Sequence, residues 1–328
     1  MISDTANRAF LALAALALLA YTLAGLGACA LLAFVAYRFA VDGAHALTTG
    51  GMALALALVF LALTGAGALR GLWSLRCQLN ATEALADSVR AARLPRDGRA
   101  GDVAARVGIR RLDIVAAAEP FSFTYGSFFP RVATSHGLLD ALSPPELQAV
   151  LEHERYHVKH LDPLKVLLAR VFAAAFFYLP VLRDLRRRYV AGRELAADRR
   201  AVSACGTRAL AGALAKVVGS PAWADLRTAA AIGDPELLDV RITQLETGRE
   251  PILDPVSRTT VALSVLGGGL LLTGLGLAGV ASDGIVMPDP WAGWNTPLQI
   301  VGIGACSAFW AWVSWRVGRS LWRRWSRA

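Results

Sequence analysis

The run Ala9–Tyr37 is an almost unbroken series of Ala, Leu, Phe and Val, longer than the roughly 20 residues a helix needs to cross about 30 Å of hydrocarbon. Only helices and closed barrels satisfy their backbone polar groups in lipid, so the segment is expected to be a membrane helix. No basic region precedes it, and it is expected to be a retained anchor, not a cleaved signal peptide. Three further apolar runs follow at about Thr48–Leu69, Thr260–Ala281 and Leu298–Val317, with Trp310, Trp312, Trp315, Trp322 and Trp325 thickening the last near an interface.

Hydrophobic residues make up 55% of the 328, and the mean hydropathy is +0.45. That is too apolar for an ordinary soluble domain, yet ample polar sequence lies between the apolar runs. The net charge of +9 reads as membrane topology, because the Arg residues flank apolar segments, and no direct nucleic-acid partner is expected. Cys29 and Cys306 lie in apolar runs, Cys77 and Cys205 stand alone, and no CxxC pair occurs. Neither a disulfide framework nor a thiolate metal site is implied.

Four crossings satisfy the positive-inside rule at every loop. Arg70, Arg76, Arg90, Arg93, Arg96 and Arg99 follow the second run, the loop Ser282–Asn295 has acids but no Lys or Arg, and Arg316, Arg319, Arg323, Arg324 and Arg327 fill the tail. Both termini and the middle region are then cytoplasmic. The segment Pro163–Pro180 is apolar and about 27 Å long as a helix, but Lys159 and Lys165 precede it, Arg183 and Arg186 to Arg188 follow it, and Arg170 interrupts it. It is expected to be a buried or re-entrant helix.

The expected fold class is therefore a mainly α membrane protein with four transmembrane helices, one re-entrant or buried helix, and a cytoplasmic α+β domain with a small β-sheet. The expected divisions are residues 1–75 for helices one and two, 76–258 for the cytoplasmic domain with its apolar helix at 163–180, and 259–328 for helices three and four with a basic tail. Within the middle domain Asn80–Ala92 predicts a helix and Leu94–Gly101 a linker. Leu112–Ala117, Phe121–Tyr125 and Arg131–Ser135 predict strands, and a helix is expected over about Leu182–Ser203.

Ser143-Pro144-Pro145-Glu146 writes a helix start, with a capping Ser, Pro at the first position and Glu three residues on. That helix carries His153-Glu154-Arg155-Tyr156-His157. Two His at i and i+4 share a helical face, so both imidazoles can reach one zinc ion, with Glu154 beside it as general base. His160 is about 10 Å along the axis from His153, too far to share that ion. A better third ligand lies in Arg193-Glu194-Leu195-Ala196-Ala197-Asp198. Glu194 and Asp198 project from one face; one can bind zinc while the other accepts a hydrogen bond from a ligand imidazole.

The run Leu138–Asp162 with its HExxH, the downstream Arg193–Asp198, and Pro120–Gly126 followed by Pro130–Ala133 together resemble the BlaR/MecR family of membrane-embedded gluzincin zinc metallopeptidases, related to the HtpX and CAAX-prenyl protease group. The resemblance implies His153, His157 and Glu194 as zinc ligands, Glu154 as catalytic acid/base, and Asp198 as partner of a ligand imidazole. It also places the strand with Phe123, Thr124 and Tyr125 along a substrate cleft. Family members that sense β-lactams carry a sensor domain after the last span. Here only a basic tail follows Val317, so direct antibiotic sensing is not expected.

The expected activity is a zinc-dependent endopeptidase cutting a cytoplasmic or membrane-proximal protein in signalling or regulated proteolysis, with a transcriptional repressor as the family's characteristic substrate. One alternative is an HtpX-like quality-control protease; the other is a catalytically silent scaffold or receptor. Between His157 and Glu194 lie 36 residues, too few for a full transmembrane hairpin and two flanking helices, which favours the first reading. The expected location is a bacterial plasma membrane, with lipid as a further partner. Tyr125, Arg131, His136, Tyr189 and Arg193 are all conceivable oxyanion donors.

Overall fold

The computed structural model describes residues 5–46, 51–95, 98–218 and 235–283. They fall into two compact units, residues 1–15 with 70–261 and residues 16–69 with 262–328.

The described residues of the second unit are helical. Helix α1 spans Thr5–Asp42, α2 spans Gly51–Ala91, and α10 spans Arg258–Asp283; residues 5–15 of α1, 70–91 of α2 and 258–261 of α10 belong to the first unit. Two helices of the described residues, over Ala6–His45 and Leu54–Ala91, are long and apolar enough to cross a membrane. Leu18, Val59 and Leu69 are each more than three-fifths exposed on them, an arrangement that suits lipid and not water. The third apolar run lies on α10, and Leu298–Val317 lies outside the described residues.

The helix expected over Asn80–Ala92 has no separate start. It continues α2, because neither proline nor glycine interrupts Leu72–Ala91. The expected linker Leu94–Gly101 is also corrected. Strand β1 is Arg93–Leu94, and α3 begins at Gly98 and runs to Val107. Ala100, Val103, Ala104 and Val107 form one buried stripe on α3, the helical period that a Pro/Gly/Arg composition conceals.

The sheet of the first unit has the order β1-β2-β4-β3, with β2 Leu112–Val115, β3 Ser122–Tyr125 and β4 Arg131–Ser135. Strand β2 pairs antiparallel with β1 and parallel with β4, while β3 pairs antiparallel with β4 and forms the edge. All four residues of β2 are buried, because helices cover both faces. One face packs Leu112, Ile114 and Val132 against Val103 and Val107 of α3 and Leu147 and Leu151 of the next long helix. The other packs Val115, Phe123 and Ala133 against Val89 at the end of α2.

One buried carboxylate ties all four strands. Asp113 on β2 accepts from Arg131 Nε and Nη2 on β4 at 2.6 Å and from the Tyr125 hydroxyl on β3 at 2.7 Å, and Arg93 Nε of β1 lies 3.0 Å away. Burial, then the hydrogen bond to Asp113, push the Tyr125 phenol up to about 12. After β4 comes the short helix α4, His136–Ala141. A Cβ on Gly137 would lie 1.8 Å from the carbonyl oxygen of Ala118. Gly137→Ala is expected to cost at least about 1–3 kcal/mol through overpacking, read as a lower midpoint of thermal unfolding.

Helix α5, Pro144–His160, starts with the expected capping box at Ser143 and Glu146. It ends at Leu161, which takes a left-handed conformation (φ 54°) that strains a residue with a Cβ by about 1–2 kcal/mol. The chain reverses there into α6, Asp162–Ala175. The apolar segment Pro163–Pro180 is thus not one helix: α6 stops at Ala175, a turn follows, and α7 runs Val181–Cys205. Leu179 precedes Pro180, a position that disfavours helix. The 14 residues of α6 are about 21 Å long, short of a crossing. Helix α7 packs more extensively on α5 than on any other element, followed by α8 Thr207–Val218 and α9 Pro235–Thr247.

Candidate metal centre

His153 and His157 sit one turn apart on α5, facing Glu194 on α7. One donor atom from each of the three lies within 4.8 Å of the others, and all three residues are buried. The two Nε2 atoms are 3.1 Å apart; Glu194 Oε2 is 3.5 Å from His153 Nε2, and Oε1 is 3.7 Å from His157 Nε2.

The opposite nitrogen of each ring meets a carboxylate. His153 Nδ1 is 2.8 Å from Asp198 Oδ1, and His157 Nδ1 is 2.7 Å from Asp162 Oδ2. With a proton on each Nδ1, both Nε2 lone pairs face the same point, where a cation can sit between them. Burial alone would depress the His153 imidazole, but Asp198 and Glu194 lift it to about 9. Burial would likewise raise Glu194, yet His157, His153 and Arg193 hold it well below the usual carboxylate range. The donor set therefore fits a divalent cation.

An outer layer fixes these groups. The Tyr189 hydroxyl donates to Asp162 Oδ1 at 2.8 Å, and Arg241 on α9 forks onto Asp198 through Nε at 2.7 Å and Nη2 at 2.8 Å. Asp198→Asn is expected to weaken metal affinity about 10- to 100-fold, measured by chelator competition. Unchanged affinity would mean that Asp198 does not orient His153.

Glu154, next to His153 on α5, is held by β3: Thr124 Oγ1 donates to its Oε2 at 2.7 Å. A cleft of about 180 Å³ opens over His153, Glu154, His157 and Glu194, lined by β3 and by Arg193 and Arg241.

The three strand residues expected along the cleft all line it; Phe123 and Tyr125 are otherwise buried in the cluster with Val89 and Val115, while Thr124 alternates to the opposite side and meets Glu154. Four of the conceivable oxyanion donors are engaged elsewhere: Tyr125 and Arg131 with Asp113, Tyr189 with Asp162, and His136 with Asp140. Arg193 lines the cleft. His160 stacks on Tyr156 and bonds its carbonyl, apart from the centre. Sequence reasoning missed Arg241, which has no local motif, and gave Asp162 no role, though an acid five residues after the second His was a usable signal.

The profile of the BlaR1 peptidase M56 family matches residues 46–245. The chain belongs to the BlaR1 peptidase M56 family. This M56 peptidase is also similar to a protease HtpX homolog of Archaeoglobus fulgidus, 38% identical over 92 residues, 26% of each chain. Protease HtpX homolog 2 of Methanosarcina mazei is 46% identical over 48 residues, 15% of this chain and 16% of that one. The chain thus aligns with about a quarter or less of the length of these curated relatives. No solved structure matches. Membership in the M56 family, with two helices suited to a membrane, supports a membrane-associated metallopeptidase.

Proposed function

We propose that this chain is a multi-pass plasma-membrane zinc endopeptidase that cleaves a cytoplasmic or membrane-proximal protein in regulated proteolysis, with a transcriptional repressor as one candidate substrate. The convergence of His153, His157 and Glu194 beside a tethered Glu154 carries this reading. The basic flanks of the apolar runs support a cytoplasmic site.

His153, His157 and Glu194 would hold the ion, which supplies Lewis acidity that polarises a carbonyl and brings the pKa of water toward about 7. Thr124 occupies Glu154 Oε2, leaving Oε1 to accept a proton from the attacking water and pass it to the departing amine. Arg193, lining the cleft, is positioned to stabilise negative charge developing on the carbonyl oxygen. Among the described residues strand β3 pairs on one side alone, so an extended substrate can add to its other edge.

Comparing new protein termini between cells with the intact chain and with Glu154→Gln tests this reading. One or a few termini confined to the intact chain are expected, and identical sets would remove the proposed activity. The local identity to HtpX homologs favours a second reading, general membrane-protein quality control, which predicts many unrelated cleaved proteins.

A further inference from the structure

Arg170 lies in the apolar helix α6, beside the fully buried Ala169. Arg170 itself is half-buried, where a charge-assisted hydrogen bond to a carboxylate is stronger than one to a neutral group. Among the described residues Arg170 forms no ion pair. Its Nη1 donates to the neutral Oε1 of Gln78 on α2 at 2.7 Å, and the charged groups acting on it are two cations, Arg186 and Arg193.

Arg170 and Gln78 line the same cleft as Glu154 and Glu194. Arg193 is nine-tenths buried, and its Nε has no hydrogen-bond partner among the described residues. Much of the remaining wall is apolar, from Val150, Leu210, Leu214 and Val217. Arg193 faces Glu194 at 3.3 Å, so the guanidinium of the cleft that lacks a carboxylate among the described residues is that of Arg170, and an acidic group of the occupant can supply one.

We propose that Arg170, oriented by Gln78, forms a subsite for the side-chain carboxylate of an Asp or Glu near the scissile bond of the substrate. The inference rests on the endopeptidase reading above. The carboxylate docks against the guanidinium while neighbouring apolar side chains of the substrate cover the aliphatic wall. A charge-assisted hydrogen bond of this kind corresponds to roughly tenfold or more in relative kcat/KM.

The test uses the full chain in detergent with zinc and synthetic peptides blocked at both ends. Asp/Glu, Asn/Gln and Lys are exchanged position by position, and cleavage is read by mass spectrometry. The expected result is faster cleavage with an acid at one fixed distance from the cut, an acid-to-amide ratio that falls roughly tenfold in Arg170→Gln, and a preference for Lys in Arg170→Glu. If Arg170 merely ties α6 to α2, Arg170→Gln slows acidic and neutral peptides in the same proportion, which overturns the proposal. The same series with free carboxyl termini is run in parallel, and an acid preference confined to it would overturn the side-chain assignment. Binding of the same peptides to Glu154→Gln, followed by fluorescence anisotropy, separates the subsite from the chemistry. Tighter, Arg170-dependent binding of acidic peptides supports the subsite even if no cleavage occurs, and equal binding of acid and amide peptides contradicts it.

Discussion

Glu154→Gln is expected to lower peptide turnover by about 10²- to 10⁴-fold, the usual contribution of a positioned general acid–base, while metal content stays at the level of the intact protein. Glutamine retains an acceptor for Thr124, which reaches Glu154 Oε2 at 2.7 Å, so the local packing survives. What it lacks is a basic oxygen to take a proton. The three converging donor atoms belong to His153, His157 and Glu194, and none is altered. Steady-state kinetics beside elemental analysis separates the two effects; full activity in this variant would assign the proton transfer to another group.

Glu194→Ala is expected to act on the metal itself. It removes the one anionic donor of the set and leaves two imidazoles, with Arg193 at 3.3 Å and Arg241 at 3.9 Å losing the carboxylate they face. The loss of affinity should exceed the roughly 10- to 100-fold attached to an outer hydrogen-bond partner. Stabilisation by bound ligand grows with concentration over Kd, about 4 kcal/mol at a thousandfold excess. The zinc-dependent rise in Tm should therefore disappear in this variant at concentrations that saturate the intact chain. An undiminished thermal shift would take Glu194 out of the centre.

How far the sequence disclosed this arrangement depends on how local each determinant is. The capped start of α5, the His pair one turn apart and the Glu194/Asp198 face are short-range patterns, and in the structure one donor atom each of His153, His157 and Glu194 lies within 4.8 Å of the others. The role of Asp162 depends on the left-handed turn at Leu161, which no residue preference announces because leucine disfavours it. Arg241 reaches Asp198 across 43 positions, and only tertiary packing selects it from the many Arg residues of the chain. Strand β2 was legible at Leu112–Ala117, but its burial on both faces was not, because no alternation marks a strand covered on both sides.

The most direct measurement is X-ray absorption at the zinc edge on the full chain. Three protein ligands, two imidazole nitrogens and a carboxylate oxygen, should appear at about 2.0–2.2 Å, with the imidazole scattering lost in a His153→Ala, His157→Ala double variant. A sulfur shell at about 2.3 Å, or an unchanged spectrum in that variant, would place the metal elsewhere and contradict the account.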